Sequence, residues 1–342
     1  MADKILVTGG TGYIGSHTVV ELQNEGYEVI IVDNLSNSGI GVLDNIAKIT
    51  GKKPAFEEFN LSYRDKTDIF LSHHTDIRAI IHFAASKAVG ESVRFPLFYY
   101  RNNLVSLINL LEGMVKHGIG SIVFSSSCTV YGQPDMLPVT ESTPLKDAES
   151  PYGNTKKVSE DILKDTIAAY PQLKGIALRY FNPIGAHPSA LIGELPLGVP
   201  ENLVPFITQT AAGVRRELQI YGNDYDTPDG SAIRDYINIV DLARAHVTAI
   251  KRLLEAKNKK GFEVFNLGTG NGLSVLEIVR CFEKVTGVKL NYKIVGRRDG
   301  DIEKIWADTS LANEELGWKA EKTLEETLIS AWKWEQNVRG IG

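Results

Sequence analysis

The sequence predicts an α/β protein: a doubly wound parallel sheet with helices on both faces, continued into a smaller C-terminal α/β domain. Three observations carry this expectation. Short β-rich apolar runs alternate with helical stretches through the first half of the chain, and a glycine cluster lies between the first run and the first helix. After about Tyr180 the texture changes to Pro- and Gly-rich loops.

Taken in order, Ile5 to Thr8, Val29 to Asp33, Ile77 to Ala84 and Ser121 to Ser126 read as buried strands. Ile30-Ile31-Val32 is apolar on both faces, as a central parallel strand requires. Gly15 to Glu25 and Asn102 to His117 read as helices between them, and this alternation predicts right-handed crossovers. Beyond Tyr180, the runs Asn182-Pro183-Ile184-Gly185-Ala186-His187-Pro188 and Leu195-Pro196-Leu197-Gly198-Val199-Pro200 are loops of a length that usually carries function. The expected division is therefore 1–181 and 182–342, with segments near 234–265 able to return to the first domain.

A chain of 342 residues exceeds the usual single core, which favours a large domain with a smaller one beside it. Hydrophobic residues at 43% and charged residues at 23% exclude disorder, collagen-like repeats and coiled coil. Lys plus Arg total 37 against 42 for Asp plus Glu, with no long basic run, so nucleic acid and anionic membrane are poor partners. The two cysteines, Cys128 and Cys281, have no metal-ligand spacing and imply neither a bound metal nor a disulfide framework. The start, MADKILVTGG, runs straight into a strand pattern, and no apolar run reaches bilayer length. The expectation is a cytoplasmic chain.

Gly9, Gly12 and Gly15 follow the first strand directly and open the first helix. In that context glycines let the backbone turn sharply and approach a pyrophosphate, whose charge then faces the helix N-terminus. The second strand ends at Asp33, where a carboxylate can accept from adenosine ribose hydroxyls and would repel a 2'-phosphate. The pair predicts a Rossmann-type domain that binds NAD in preference to NADP.

Tyr152 and Lys156 are four residues apart and share one face of a helix that Pro151 is suited to start. That spacing alone is common by chance. It gains weight from the upstream glycine turn and from Ser127, at the end of Ser121 to Ser126, because ligands of a doubly wound sheet collect at the carboxyl ends of its strands. A free phenol, with a pKa of about 10, is a poor base at neutral pH, and a neighbouring ammonium with a nicotinamide cation would lower it. Ser127 would then hydrogen-bond the reacting hydroxyl.

The runs VTGGTGYIGSH, DNLSNS, IHFAASKAVGESV, SSSCTVYG, SPYGNTK, RYFNPIGAHPSA, YGNDYDTPDGSAIRDYI and GRRDGDIEKIWAD resemble the extended short-chain dehydrogenase/reductases, and within them the UDP-galactose 4-epimerase family. The resemblance extends from Leu6 to about Trp318. It implies reversible epimerisation at C4 of a UDP-hexose through a 4-keto intermediate, with tightly held NAD, in a homodimer. By resemblance, Gly9, Gly12, Tyr13, Ile14 and Gly15 line the pyrophosphate, and Asp33, Asn34, Asn37 and Ser38 hold the adenosine half. Asn60 and Leu61 flank adenine, while Phe83, Ala84, Lys87, Asn102, Tyr180 and Phe181 lie along the rest of the cofactor. Ser127, Tyr152 and Lys156 form the catalytic trio. Ser127, Asn182, Asn202, Leu203, Tyr221, Arg234, Arg298 and Asp301 meet the nucleotide sugar, the arginines as forked donors for its pyrophosphate.

Three positions stand out against the family pattern: Asn60, Ile305 and Cys128. Asn60 stands where Asp is usual, and its amide oxygen still accepts from an adenine amino group. Ile305 stands at the position thought to limit room around the sugar 2-substituent, which keeps N-acetylated UDP-hexoses as an alternative substrate. A 4,6-dehydratase is disfavoured because Ser127-Cys128-Thr129 lacks the Asp-Glu pair that eliminates water. An NAD-sensing protein without turnover has no need of a tuned phenol. Cys128 reads as a buried filler. The apolar residues of Leu104 to Val115 form more than one stripe, so a second surface must cover them, either a partner copy or another part of the chain.

Overall fold

The computed structural model describes residues 2–297 and 302–341. The chain runs β1 (Lys4–Thr8), α1 (Tyr13–Asn24), β2 (Glu28–Asp33), α2 (Val42–Thr50), β3 (Ala55–Glu58), α3 (Arg64–His73), β4 (Ile77–His82), α4 (Val89–Arg94), α5 (Pro96–His117) and β5 (Ser121–Ser127). It continues through α6 (Pro151–Ala169), β6 (Lys174–Tyr180), β7 (Asn182–Ile184), α7 (Leu203–Ala211), β8 (Leu218–Tyr221), β9 (Ile233–Asn238), α8 (Ile239–Leu254) and β10 (Phe262–Leu267). Then come β11 (Gly272–Ser274), α9 (Val275–Thr286), β12 (Tyr292–Val295), β13 (Lys304–Ile305) and α10 (Leu324–Arg339).

Seven strands form one sheet in the order β10-β6-β5-β4-β1-β2-β3, every pair parallel. The order reverses between β1 and β4, and the crevice outside their carboxyl ends is where such sheets bind ligands. Alternation along the strands feeds two cores. Ile5, Val7, Val29 and Ile31 pack on one face with α1 and α8, while Leu6, Ile30 and Val32 pack on the other with α3 and α5. Continuously apolar strands are the sequence signature of this double burial.

The later strands build a second body. β9 lies between β11 and β13 and also pairs with β7, and β8 pairs with β12. A third core, with Ile207, Ile220, Ile278, Phe282 and Leu328, joins α7, α9 and α10 to these strands. Two elements leave this body for the first: α8 packs on α1, and β10 extends the large sheet beyond β6.

Three predicted boundaries shift for local reasons. α1 starts at Tyr13, because the turn closes as soon as Gly12 is passed. β4 stops at His82, since Phe83 and Ala84 already turn over the Gly9 loop. α5 begins six residues before the expected Asn102, at Pro96, whose fixed φ suits a first helical turn. Among the described residues no helix is long and apolar enough to cross a membrane.

Candidate active site

The turn from β1 into α1 is shaped by glycine. Gly9 has φ +70°, and a Cβ there would lie 2.8 Å from the backbone nitrogen of Ala84. A Cβ on Gly15 would lie 2.2 Å from the Gly9 carbonyl oxygen, so this turn admits no side chain. No side chain caps α1, which leaves its first-turn amides directed outward as an anion cradle. Beside it, the Asp33 carboxylate accepts from the amides of Thr11 at 3.2 Å and Leu35 at 2.9 Å, using part of its accepting capacity. Thr11 and Ser38 hydroxyls bond at 2.7 Å, which ties the loop after β2 to the glycine turn. A naked backbone cradle next to a fixed carboxylate fits a dinucleotide.

The remaining predicted residues gather at the same end of the sheet. Asn34 and Asn37 follow β2, Asn60 and Leu61 follow β3, and Phe83, Ala84 and Lys87 follow β4. Asn60 uses its amide oxygen in a local turn, accepting from Ser62 at 2.9 Å. Asn102 on α5 donates to Ser86 at 3.2 Å, bracing the Lys87 segment. Tyr180 ends β6, Phe181 follows it, and Tyr180 shares a hydrogen bond with Ser125.

Ser127 ends β5, and α6 is launched beside it. Ser150 caps that helix by accepting from the Gly153 amide at 3.1 Å, and Pro151 takes the first position. A Cβ on Gly153 would come within 3.3 Å of Thr129, so α6 lies tightly against the turn after β5. Tyr152 is thereby set facing Ser127. Burial pushes the Tyr152 phenol up to about 12, with the Ser127 hydroxyl acting against that rise. Lys156 is buried one turn along, donates to the Ser125 carbonyl at 2.6 Å, and has its ammonium 5.9 Å from the centre of the Tyr152 ring. Burial lowers its pKa to about 7, with Glu160 opposing. The sequence pairs Lys156 with the phenol; the structure gives its nearest hydrogen bond to the backbone behind it.

On the other side of the crevice, Asn182 begins β7, Asn202 precedes α7, Leu203 starts it, and Tyr221 ends β8. Arg234 lies on β9 in register with Ile305 of β13, its guanidinium donating to the Ile233 carbonyl at 2.8 Å. Ile305 is buried with Cys128, Val130 and Phe181, and burial takes the Cys128 thiol up to about 12, as befits a filler. Arg298 and Asp301 lie outside the described residues.

Sequence reasoning missed two buried supports. Glu160 binds Arg179 through two hydrogen bonds, at 2.9 and 2.5 Å, and accepts from Ser126 at 2.5 Å, stiffening the strands behind Lys156. Asp235 accepts from Thr269 twice, at 2.8 and 2.7 Å, and from Gly270 and Ala307 at 3.2 Å each, fastening the segment after Ile305 to β9. The only sequence hint of the second was the RDYI run.

A family model described as GDP-mannose 4,6 dehydratase matches residues 6–330. UDP-glucose 4-epimerase of Bacillus subtilis (strain 168) is 51% identical over 337 residues, covering 98% of each chain. Among solved structures, a UDP-glucose-4-epimerase from Stenotrophomonas maltophila, with bound NAD and formylated UDP-arabinopyranose, superposes with a TM-score of 0.95 at 47% identity. The superposition covers 98% of this chain and 99% of that one. The enzyme from Bifidobacterium longum, in complex with NAD+ and UDP, gives 0.93 at 46% identity with the same coverage. With likeness of this depth along nearly the whole chain, the protein belongs to the extended short-chain dehydrogenase/reductases that this model describes, and within them to the UDP-glucose 4-epimerase family.

Proposed function

We propose that this protein interconverts UDP-galactose and UDP-glucose by reversible epimerisation at C4, through a transient 4-keto sugar, with NAD as a resident cofactor. The observation that carries the reading is Ser127 at the end of β5 facing Tyr152 in the first turn of α6, with the buried Lys156 ammonium one helical turn on and 5.9 Å from the phenol ring. Tyr152 takes the proton of the sugar 4-hydroxyl and later returns it, while Ser127 holds that hydroxyl at the phenol. Lys156 stands behind the ring and favours its anion. Bound NAD would accept and return the C4 hydride and bring a positive charge near the phenol, which in the chain alone sits near 12.

Gly9, Gly12, Tyr13, Ile14 and Gly15 would hold the pyrophosphate, Asp33, Asn34, Asn37, Ser38, Asn60 and Leu61 the adenosine, and Phe83, Ala84, Lys87, Asn102, Tyr180 and Phe181 the nicotinamide half. Asn182, Asn202, Leu203, Tyr221 and Arg234, with Arg298 and Asp301, would grip UDP and leave the hexose free to turn over. The relatives favour the unmodified hexoses over the N-acetylated pair. The division of labour between 1–181 and 182–342, with α8 and β10 returned to the first body, and a cytoplasmic location complete the reading.

A homodimer fits the surface of α5. Leu97 is 82% exposed there, and Phe98 and Ile108 join it. A groove of about 450 Å³ between α3, α5 and α6 exposes Ile108, Val115, Ile162 and Tyr170. Sedimentation should give a dimer that Leu97→Asp weakens; a monomeric wild type would remove the assignment.

The enzymatic test is UDP-galactose turnover to UDP-glucose by the purified protein. Tyr152→Phe should lower kcat by about 10²- to 10⁴-fold, the usual contribution of a general acid–base. Full-speed interconversion by that variant would sink the mechanism.

A further inference from the structure

The loop after β7 is stapled from both bodies. Asn45 of α2 donates to the Leu191 carbonyl at 2.9 Å, and Asn337 of α10 donates to that of Ala190 at 2.6 Å. The Trp334 indole donates to the Glu194 carbonyl at 2.9 Å, and Gly193 lies so close to that ring that a Cβ would come within 2.5 Å of it. Glu194 is therefore carried on fixed backbone, and its side chain is only 10% exposed. One oxygen, Oε1, accepts from Asn202 Nδ2 at 2.7 Å and lies 3.4 Å from Lys87 Nζ. Its charge also reaches Tyr13 in the first turn of α1, whose phenol is raised by burial and, second, by Glu194.

A largely buried carboxylate between two sites for polyanions weakens both by repulsion unless it holds something in place. What it touches is one residue from each side: Lys87 follows β4 of the large sheet, and Asn202 precedes α7 of the second body. We propose that Glu194 is a positioning residue that registers the two halves of the cleft, holding Asn202 for the nucleotide sugar and Lys87 for the cofactor in one shared bridge. The inference rests on the assignment of Lys87 and Asn202 made above.

Glutamine at this position keeps an acceptor for Asn202 but loses the charge that faces Lys87; alanine loses both. The test compares NAD-loaded wild type, Glu194→Gln and Glu194→Ala in kcat and KM for UDP-galactose, and in the rate at which NAD is lost after desalting. Glu194→Ala should raise KM about tenfold with kcat changed less than about twofold, the pattern of lost binding rather than lost chemistry. Glu194→Gln should raise KM only about two- to threefold, and both variants should lose NAD faster. In a cycle with Asn202→Ala, the two KM penalties should fall well short of multiplying, as expected for residues in contact.

Unchanged KM and NAD loss in both variants, tighter NAD in either, or multiplying penalties would each overturn the proposal. If the wild type holds NAD but does not interconvert the hexoses, the epimerase reading fails separately, and UDP affinity by calorimetry replaces KM. If Glu194→Ala does not fold, Glu194→Gln decides through NAD loss.

Discussion

At the scale of single residues, Ser127 should act on the chemical step rather than on binding. Ser127 faces the phenol and lowers its pKa, so a hydrogen bond from it would strengthen as charge develops there, and a bond to a charged group is worth about 1.5–3 kcal/mol. Ser127→Ala should therefore lower kcat about 10- to 100-fold with little change in KM, read from initial rates with UDP-galactose. An effect confined to KM would mean that the serine only holds substrate. The identities of Ser127, Tyr152 and Lys156 were legible because each sits at a position fixed by local signals: a strand end, a Pro-led first turn and a four-residue helical step. The Lys156 bond to the Ser125 carbonyl was not legible, since it depends on how closely α6 approaches β5. Glu194 left no trace in the sequence either. Its partners lie 107 and 8 residues away, and a loop carboxylate has no periodicity to mark it.

At the scale of elements, the β1 to α1 turn is the least forgiving piece. The overlap between a Gly15 Cβ and the Gly9 carbonyl, at 2.2 Å, cannot relax without pulling α1 off the sheet. Gly15→Ala should cost about 2–3 kcal/mol of stability and release NAD, measured by thermal unfolding and by bound NAD after gel filtration. A variant that keeps both would show that the turn is looser than its geometry. This turn was readable from glycine spacing and strand context, as were β1, β2, β4 and β5 from their double-sided apolar runs. The pairing of β8 with β12 was not, because Tyr292, Lys293 and Ile294 are exposed and give β12 no buried apolar run to mark it.

At the scale of the whole molecule, acid should unfold the protein early. His17, His82 and His246 are fully buried, and burial lowers their pKa values from 6.5 to about 3, 3 and 4. Above pH 6.5 they are neutral in both states and cost nothing. As pH falls from 6.5 toward 4, the unfolded chain takes up their protons and the folded one does not, so stability is lost over that window. Three protons give a slope of up to about 4 kcal/mol per pH unit, partly offset by Glu141 and Asp235, whose raised pKa values make the folded state take protons first. His246→Phe, which keeps an aromatic ring against Phe83 and Tyr180, should flatten the slope by about 1.4 kcal/mol per pH unit in urea unfolding between pH 6 and 5. An unchanged slope would mean that His246 is protonated in the native protein.

The position of β10 has a consequence for how the molecule comes into being. Its edge of the large sheet is supplied by Phe262–Leu267, long after the strand it borders, Lys174–Tyr180, has been made. A nascent chain that has just emerged through β6 exposes an unpaired, apolar margin until some eighty further residues are synthesised, roughly 4 to 16 s at ordinary ribosomal speed. During that interval the growing polypeptide is open to wrong pairing, and a helper that shields bare strands would act there.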